Sequence, residues 1–221
     1  MRDIVKMTLA DQIYTILRED IISQKIKCGE KLTLKALQER FDISSTPIRE
    51  AIKRLSQEGL IDHITNIGGK VVEITEKDII EIYNFCSILD VAALKLALST
   101  NNVSDVIDSL KECIKLQEKS LKHGNIEDFK LHSDDFHDIL YKYANNSKLY
   151  EASLKIRSLF SILTNRYQNF INIETVVFEE HKNIFEAITA KDFDKAVILM
   201  EDHFQHAKNY LLENIRNNLN S

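Results

Sequence analysis

Three histidines carry the clearest hint of chemistry in this sequence. His137 follows Phe129, Ser133 and Phe136 on one face of a predicted helix, His181 lies between Phe178 and Phe185 on a second, and His203 follows Val197 and Met200 on a third. A single histidine on an apolar face is usually a packed core residue. Three of them, on the inward faces of three helices, point to a shared site. Neutral imidazole suits Zn, Ni, Fe or Cu, and a helical bundle builds metal sites from facing helices. No local motif such as HExxH accompanies them. Three histidines around a metal with open positions could activate water, so a metal-dependent hydrolase is one reading. Against it, Glu180 sits one residue before His181, about 100° round the helix, and no other carboxylate is placed as a base. A helical interaction module in which the histidines merely pack is another reading.

A second set of residues lies in SSTPIREAIKRLSQEGLI, residues 44–61, which holds the single proline of the chain. A proline in the first turn of a helix costs nothing, because that N–H has no helical partner, and its fixed φ suits the start. Ser44, Ser45 or Thr46 can act as the N-cap. Ile48, Ala51, Ile52 and Leu55 form the core stripe of a helix over about 46–58, and Arg49 and Lys53 share another face with Thr46 at its end. A helix N-terminus with hydroxyls and an arginine is suited to reading phosphates and base edges.

These residues need elements to hold them. Thr8 and Asp11 make a capping box for a helix over about 9–25, KCGEKL reads as a turn, and Thr33 caps LKALQERF, with Leu34, Leu37 and Phe41 inward. LIDHI and KVVEI, separated by TNIGG, read as a Gly-tipped hairpin. Three helices followed by a hairpin make a winged helix-turn-helix. From Thr75 onward the pattern is helical. Six segments follow, the first over about 76–99 with Ile79, Ile82, Phe85, Leu89, Ala93 and Leu96 inward. The expected fold is therefore mostly α, with a DNA-binding domain over 1–75 and an all-α bundle over 76–221.

The bulk numbers agree. Five glycines and one proline in 221 residues suit long helices and short loops. No apolar run approaches the ~20 residues of a membrane span, and the start lacks a signal-peptide apolar region. Three scattered cysteines argue for a reducing, cytoplasmic setting. The net charge of -5 is unevenly spread, with +1 over residues 1–75 and -6 over the remainder. Phosphate contacts need a local basic face, not a basic protein.

Residues 9–74, and STPIREAIKRLSQEGLI above all, resemble the DNA-binding domain of the GntR family of bacterial transcription regulators. The resemblance implies a homodimer on double-stranded operator DNA. Lys35 stands where a DNA-contacting arginine is usual, Ser44, Thr46 and Arg49 match the recognition helix, and Asn66, Gly68 and Gly69 match the wing tip. Ser45 replaces a guanine-reading arginine, Cys28 a proline, and Ile67 a basic wing residue. DDFHDILYKYANNSKLYE and EEHKNIFEAITAKDFDKAVILMEDHF resemble the FadR-type C-terminal (FCD) ligand-sensing domain. That resemblance implies a small-molecule effector, commonly an organic acid, and a metal such as Zn or Ni on one aspartate and three histidines. His137, His181 and His203 fall on the histidine positions, while Ser133 holds the aspartate position, with Asp134 as the substitute to weigh. Cys86 replaces an arginine that holds a carboxylate effector, which places Cys86 and Ser133 in the expected effector pocket.

Overall fold

The computed structural model describes residues 7–64, 68–100, 103–167 and 173–219; Asn66 and Ile67 lie outside the described residues. The chain forms two compact units, Met1–Asp78 with Arg157–Tyr167, and Ile79–Ile156 with Gln168–Ser221.

The first unit opens on α1 (Leu9–Ile22). Its cap is the expected box: Thr8 Oγ1 accepts from the Asp11 amide at 3.1 Å, and the Asp11 carboxylate accepts from the Thr8 amide at 3.0 Å. Both ends of the reciprocal pair satisfy N–H groups that the helix leaves free. Hydrogen bonds from Thr8, with the Arg54 guanidinium beside it, hold the Asp11 carboxyl at about 2. α2 (Leu34–Phe41) is capped by Thr33 and stops at Asp42, which takes a left-handed φ of 52°. α3 (Ser45–Gln57) has Ser44 at its N-cap, with no side-chain cap bond, and Pro47 in its first turn. Ile48, Ala51, Ile52 and Leu55 are buried as expected. Arg54 crosses to α1, bonding Asp11 Oδ1 at 2.6 Å and lying 4.0 Å over the Tyr14 ring. The Tyr14 hydroxyl in turn donates to Glu58, which closes a polar lock between the two helices.

Three strands follow the order β1-β3-β2, all antiparallel: β1 (Lys31–Thr33), β2 (Ile61–Ile64) and β3 (Gly68–Val71). The hairpin was expected; β1 was not, because residues 31–33 lie in and beside the KCGEKL turn. Three residues are too few to show alternation, and only pairing with β3 makes them a strand. The two neighbours of β3 explain two glycines, β1 for Gly68 and β2 for Gly69. A Cβ on Gly68, whose φ is +136°, would sit 1.9 Å from the Leu32 carbonyl oxygen, and one on Gly69 would sit 2.2 Å from Ile61 Cγ2. Both glycines are buried inside β3.

The last turns of α7 (Ser147–Arg166) also belong to this unit. Arg18 donates to Ser158 Oγ at 2.7 Å, and Asn165 donates to the Ile22 carbonyl at 2.9 Å. That carbonyl is one of those left free at the end of α1.

The second unit is helical throughout its described residues. α4 (Glu76–Leu98), α5 (Val103–Lys122), α6 (Ile126–Ala144), the first part of α7, α8 (Glu174–Thr189) and α9 (Phe193–Leu219) make it up. With α7 these are the six helices expected after the wing. α5 packs on α6 and α8, and α8 on α9. Asn125 caps α6 by accepting from the Asp128 amide at 3.1 Å. On α4, Ile79, Ile82, Leu89 and Ala93 are buried, but Phe85 and Leu96 are 44% and 37% exposed, against expectation. Tyr83, Cys86, Asp90, Leu94 and Ala97 take the inward positions instead. α4 is apolar nearly all round, so its pattern does not single out one face.

Substituting Gly68 by alanine is expected to destabilise the first unit by about 3 kcal/mol or more, since it adds backbone strain to a clash with a strand neighbour. Thermal unfolding of the full chain followed by circular dichroism measures this; an unchanged first transition would contradict the packing described for β3.

Candidate functional site

Two constellations emerge, one in each unit. In the first unit, α3 presents Thr46, Arg49 and Lys53 to solvent, with Ser44 exposed and Ser45 half-buried at its start. Lys35, on α2, is exposed, with its ammonium 4.0 Å from Glu39. The cations divide into two kinds. Arg40 and Arg54 are tied to Asp20 and Asp11. Arg49 and Lys53 make no hydrogen bond or ion pair with any described residue. A helix N-terminus with free N–H groups and two uncommitted cations is an anion-attracting face. Of the expected wing residues, Gly68 and Gly69 are strand residues with a packing reason to be glycine, and Asn66 lies outside the described residues.

In the second unit α6, α8 and α9 bring His137, His181 and His203 together, with candidate ligand atoms all within 4.8 Å of one another. Ring centroids are 5.0 Å apart for His137 and His181, 4.8 Å for His181 and His203, and 5.5 Å for His137 and His203. Phe136 stacks on His181 at 4.1 Å and shields it. Each ring has its Nδ1 occupied: His137 by Asp90 at 2.5 Å, His181 by Gln117 at 3.0 Å and His203 by Glu180 at 2.7 Å. Such bonds fix ring orientation and leave Nε2 as the available donor atom.

The tautomer of His181 follows from Gln117. The Gln117 amide nitrogen donates to the His132 carbonyl at 3.0 Å, so its oxygen faces His181 Nδ1 and must accept from it. His181 therefore carries its proton on Nδ1, and Nε2 is a bare lone pair. That Nε2 is buried and has no hydrogen-bond partner. Burial, then the nearby His203 and His137, hold the His181 pKa well below its ordinary value, and burial lowers that of His203 as well. Both rings are thus neutral, the form that ligates metal. Burial pushes Glu180 up, but hydrogen bonds from His203 and His206 outweigh it and hold Glu180 below the usual carboxylate range. A donor set of neutral imidazoles with one orphaned, buried nitrogen fits a borderline-soft divalent metal.

The other expected site residues are less central. Asp134 is exposed and stands outside the histidine group, and Ser133 is half-buried one turn before His137. Cys86 is buried on α4, one turn before Asp90. A cleft of about 700 Å³ is lined by Cys113, Asp135, Asp138, Tyr141 and Tyr150, among others, rather than by Cys86 or Ser133. Sequence reasoning missed Asp90, Gln117 and Tyr141. A signal existed for the first two. Asp90 continues an inward series through Ile82, Cys86, Ala93 and Ala97, and Gln117 follows Val106, Leu110 and Cys113 at steps of three and four. A polar residue on a buried stripe needs a partner, and that partner is worth seeking.

Comparison with known proteins places both constellations in context. The profile for bacterial regulatory proteins of the gntR family matches residues 9–71, and that for the FCD domain matches residues 81–206. The gluconate operon transcriptional repressor of Bacillus licheniformis is 27% identical, over 85% of this chain and 79% of its own. The HTH-type transcriptional repressor RspR of Escherichia coli (strain K12) is 26% identical, over 88% of this chain and 85% of its own. In fold, the chain resembles E. coli McbR/YncC, with a TM-score of 0.74 at 21% identity, covering 94% of this chain and 99% of that one. A helix-turn-helix with uncommitted cations on its third helix, joined to an FCD bundle, defines the protein: it belongs to the gntR family of DNA-binding transcription regulators.

Proposed function

We infer that this regulator binds its operator as a homodimer and senses a small oxygen-donor effector, such as an organic acid, through a metal held by His137, His181 and His203. The observation that carries the sensing half is the buried, unpartnered Nε2 of His181 beside two further imidazoles. Zn or Ni is the metal class that such nitrogens favour. Three protein ligands leave coordination positions open, where an effector oxygen can replace water. Two relatives are repressors by name, and repression is the sign we carry to this chain. Residues 1–75 form the DNA-binding domain in this reading, and residues 76–221 bind effector and dimerise. Among the described residues no helix is long and apolar enough to cross a membrane, which accords with the cytoplasmic setting proposed here.

For DNA, the reading assigns base and phosphate contacts to Lys35, Ser44, Ser45, Thr46, Arg49 and Lys53, with Asn66 at the wing tip. Arg49 and Lys53 support it because nothing within the described chain competes for them. Ser45 cannot form the two parallel bonds that arginine makes to guanine, so the operator departs from the usual family base at that step. A hydrolase built on the same histidines lacks support, since Glu180, the carboxylate nearest to His181 in sequence, is bonded to both His203 and His206.

Arg49→Ala is expected to weaken operator binding by about 2–6 kcal/mol per dimer, two copies of a contact worth ~1–3 kcal/mol, with the circular dichroism spectrum unchanged. Wild-type affinity at the same salt, on an operator selected from random duplexes, would refute the assignment. Operator affinity should also fall steeply as salt rises, because phosphate neutralisation releases counterions; a flat response would rule out direct phosphate contact. Elemental analysis of protein purified without chelator should find metal near one ion per chain, absent from His181→Ala. A chain that stays metal-free after soaking with Zn or Ni would remove the metal from the sensing mechanism.

A further inference from the structure

Asp90 stands on α4, and is 4% exposed. One carboxylate oxygen accepts from the Tyr141 hydroxyl at 2.5 Å, and the other bonds His137 Nδ1 at 2.5 Å. No lysine or arginine pairs with it among the described residues. A buried carboxylate is costly unless a positive charge and hydrogen bonds offset it. Of the two groups bonded to Asp90, a tyrosine hydroxyl and an imidazole, it is the His137 ring that can deliver positive charge, by ligating a cation. Glu180 is placed in the same way on His203, its Oε2 2.7 Å from Nδ1. Glu180 is half-buried and also bonds the exposed His206, so Asp90 is the acid most in need of charge; a divalent ion held by the three imidazoles would supply it through the His137 ring.

We infer that Asp90 is the positioning carboxylate of this centre: it acts through His137, one hydrogen bond removed from the metal, and supplies the negative charge that Ser133 cannot. The inference rests on the metal reading given above. Gln117 completes the arrangement as a neutral counterpart on His181. Moving a carboxylate from the metal to the ring behind it keeps the local charge in balance while freeing a coordination position. It also raises the basicity of the His137 nitrogen that faces the ion.

Cobalt(II) is a suitable probe, because its visible absorption reports coordination and it takes the same nitrogen ligands. The full-length chain, stripped of metal, is titrated with Co²⁺ in wild type and in Asp90→Asn. The asparagine can still accept from Tyr141 but carries no charge. The variant is expected to bind Co²⁺ roughly 10–100-fold more weakly. Its metal-induced rise in Tm should shrink accordingly, and Asp90→Glu should recover part of the affinity. A residue that merely packs would lower the Tm with and without metal by the same amount, and that result, with wild-type Co²⁺ affinity, overturns the inference. Should Asp90→Asn not fold, Tyr141→Phe removes one bond that orients the carboxylate. It is expected to weaken Co²⁺ several-fold, and an unchanged affinity there overturns the inference equally. Wild-type protein that takes up no Co²⁺ overturns both this assignment and the metal reading beneath it. Wild-type protein that binds beside an indifferent Asp90→Asn overturns this assignment alone.

Discussion

Three imidazoles packed with their nitrogens within 4.8 Å in the core of a helical unit cannot all carry charge. Burial removes the water that would stabilise imidazolium, and each ring opposes protonation of the next. The second unit is arranged around that constraint. Five helices supply it: α6, α8 and α9 bring the rings, while α4 and α5 bring Asp90 and Gln117 behind them. Each partner is hydrogen-bonded to a ring at Nδ1, which leaves the three Nε2 atoms as the nitrogens open to a ligand. An apolar core would have been simpler to stabilise. Retaining two buried imidazoles and a half-buried third, with one orphaned nitrogen, is explicable when a cation completes them.

A related sorting of charge runs through the first unit, where the question is which cations are spent. Arg54 and Arg40 are used up in ion pairs that hold helices together, with Tyr14 and Glu58 extending the lock between α1 and α3. Those contacts leave Arg49 and Lys53 available on the opposite side of α3 from its buried stripe. In the first turn of α3 Ser44 makes no side-chain cap bond, so the N–H groups there, Pro47 having none, are not claimed by a cap. The overall charge of the chain is negative, and it is this local partition, not the total, that suits one face to a polyanion.

Several elements were readable from the sequence because their causes are local. The Thr8, Thr33, Thr75 and Asn125 caps depend on residues three positions away, and the α3 stripe depends on its own period. Other features escaped because their causes are remote in the chain. β1 exists only through β3, some 37 residues later by the pairing of Leu32 with Gly69. That pairing gives Gly68 a packing reason to be glycine, and Ile61 of β2 gives Gly69 one. The inward face of α4 was misjudged at Phe85 and Leu96, because a helix apolar nearly all round gives no preferred side until its neighbours are in place.

The sequence alone determined the order of the helices and the hairpin, a winged helix-turn-helix front followed by a helical back, and the three histidines as a group, but neither β1 nor the place of Arg157–Tyr167 in the first unit. Period, caps and residue type are properties of short stretches, and short stretches carry them without help. Only the tertiary structure decided which nitrogen of each ring is free, which residue stands behind it, and that Asp90 rather than Asp134 is the carboxylate beside His137. Asp90 and His137 are 47 residues apart, and Gln117 and His181 are 64 apart. Hydrogen bonds of a few ångströms between such residues depend on how whole helices pack, and no local pattern encodes that.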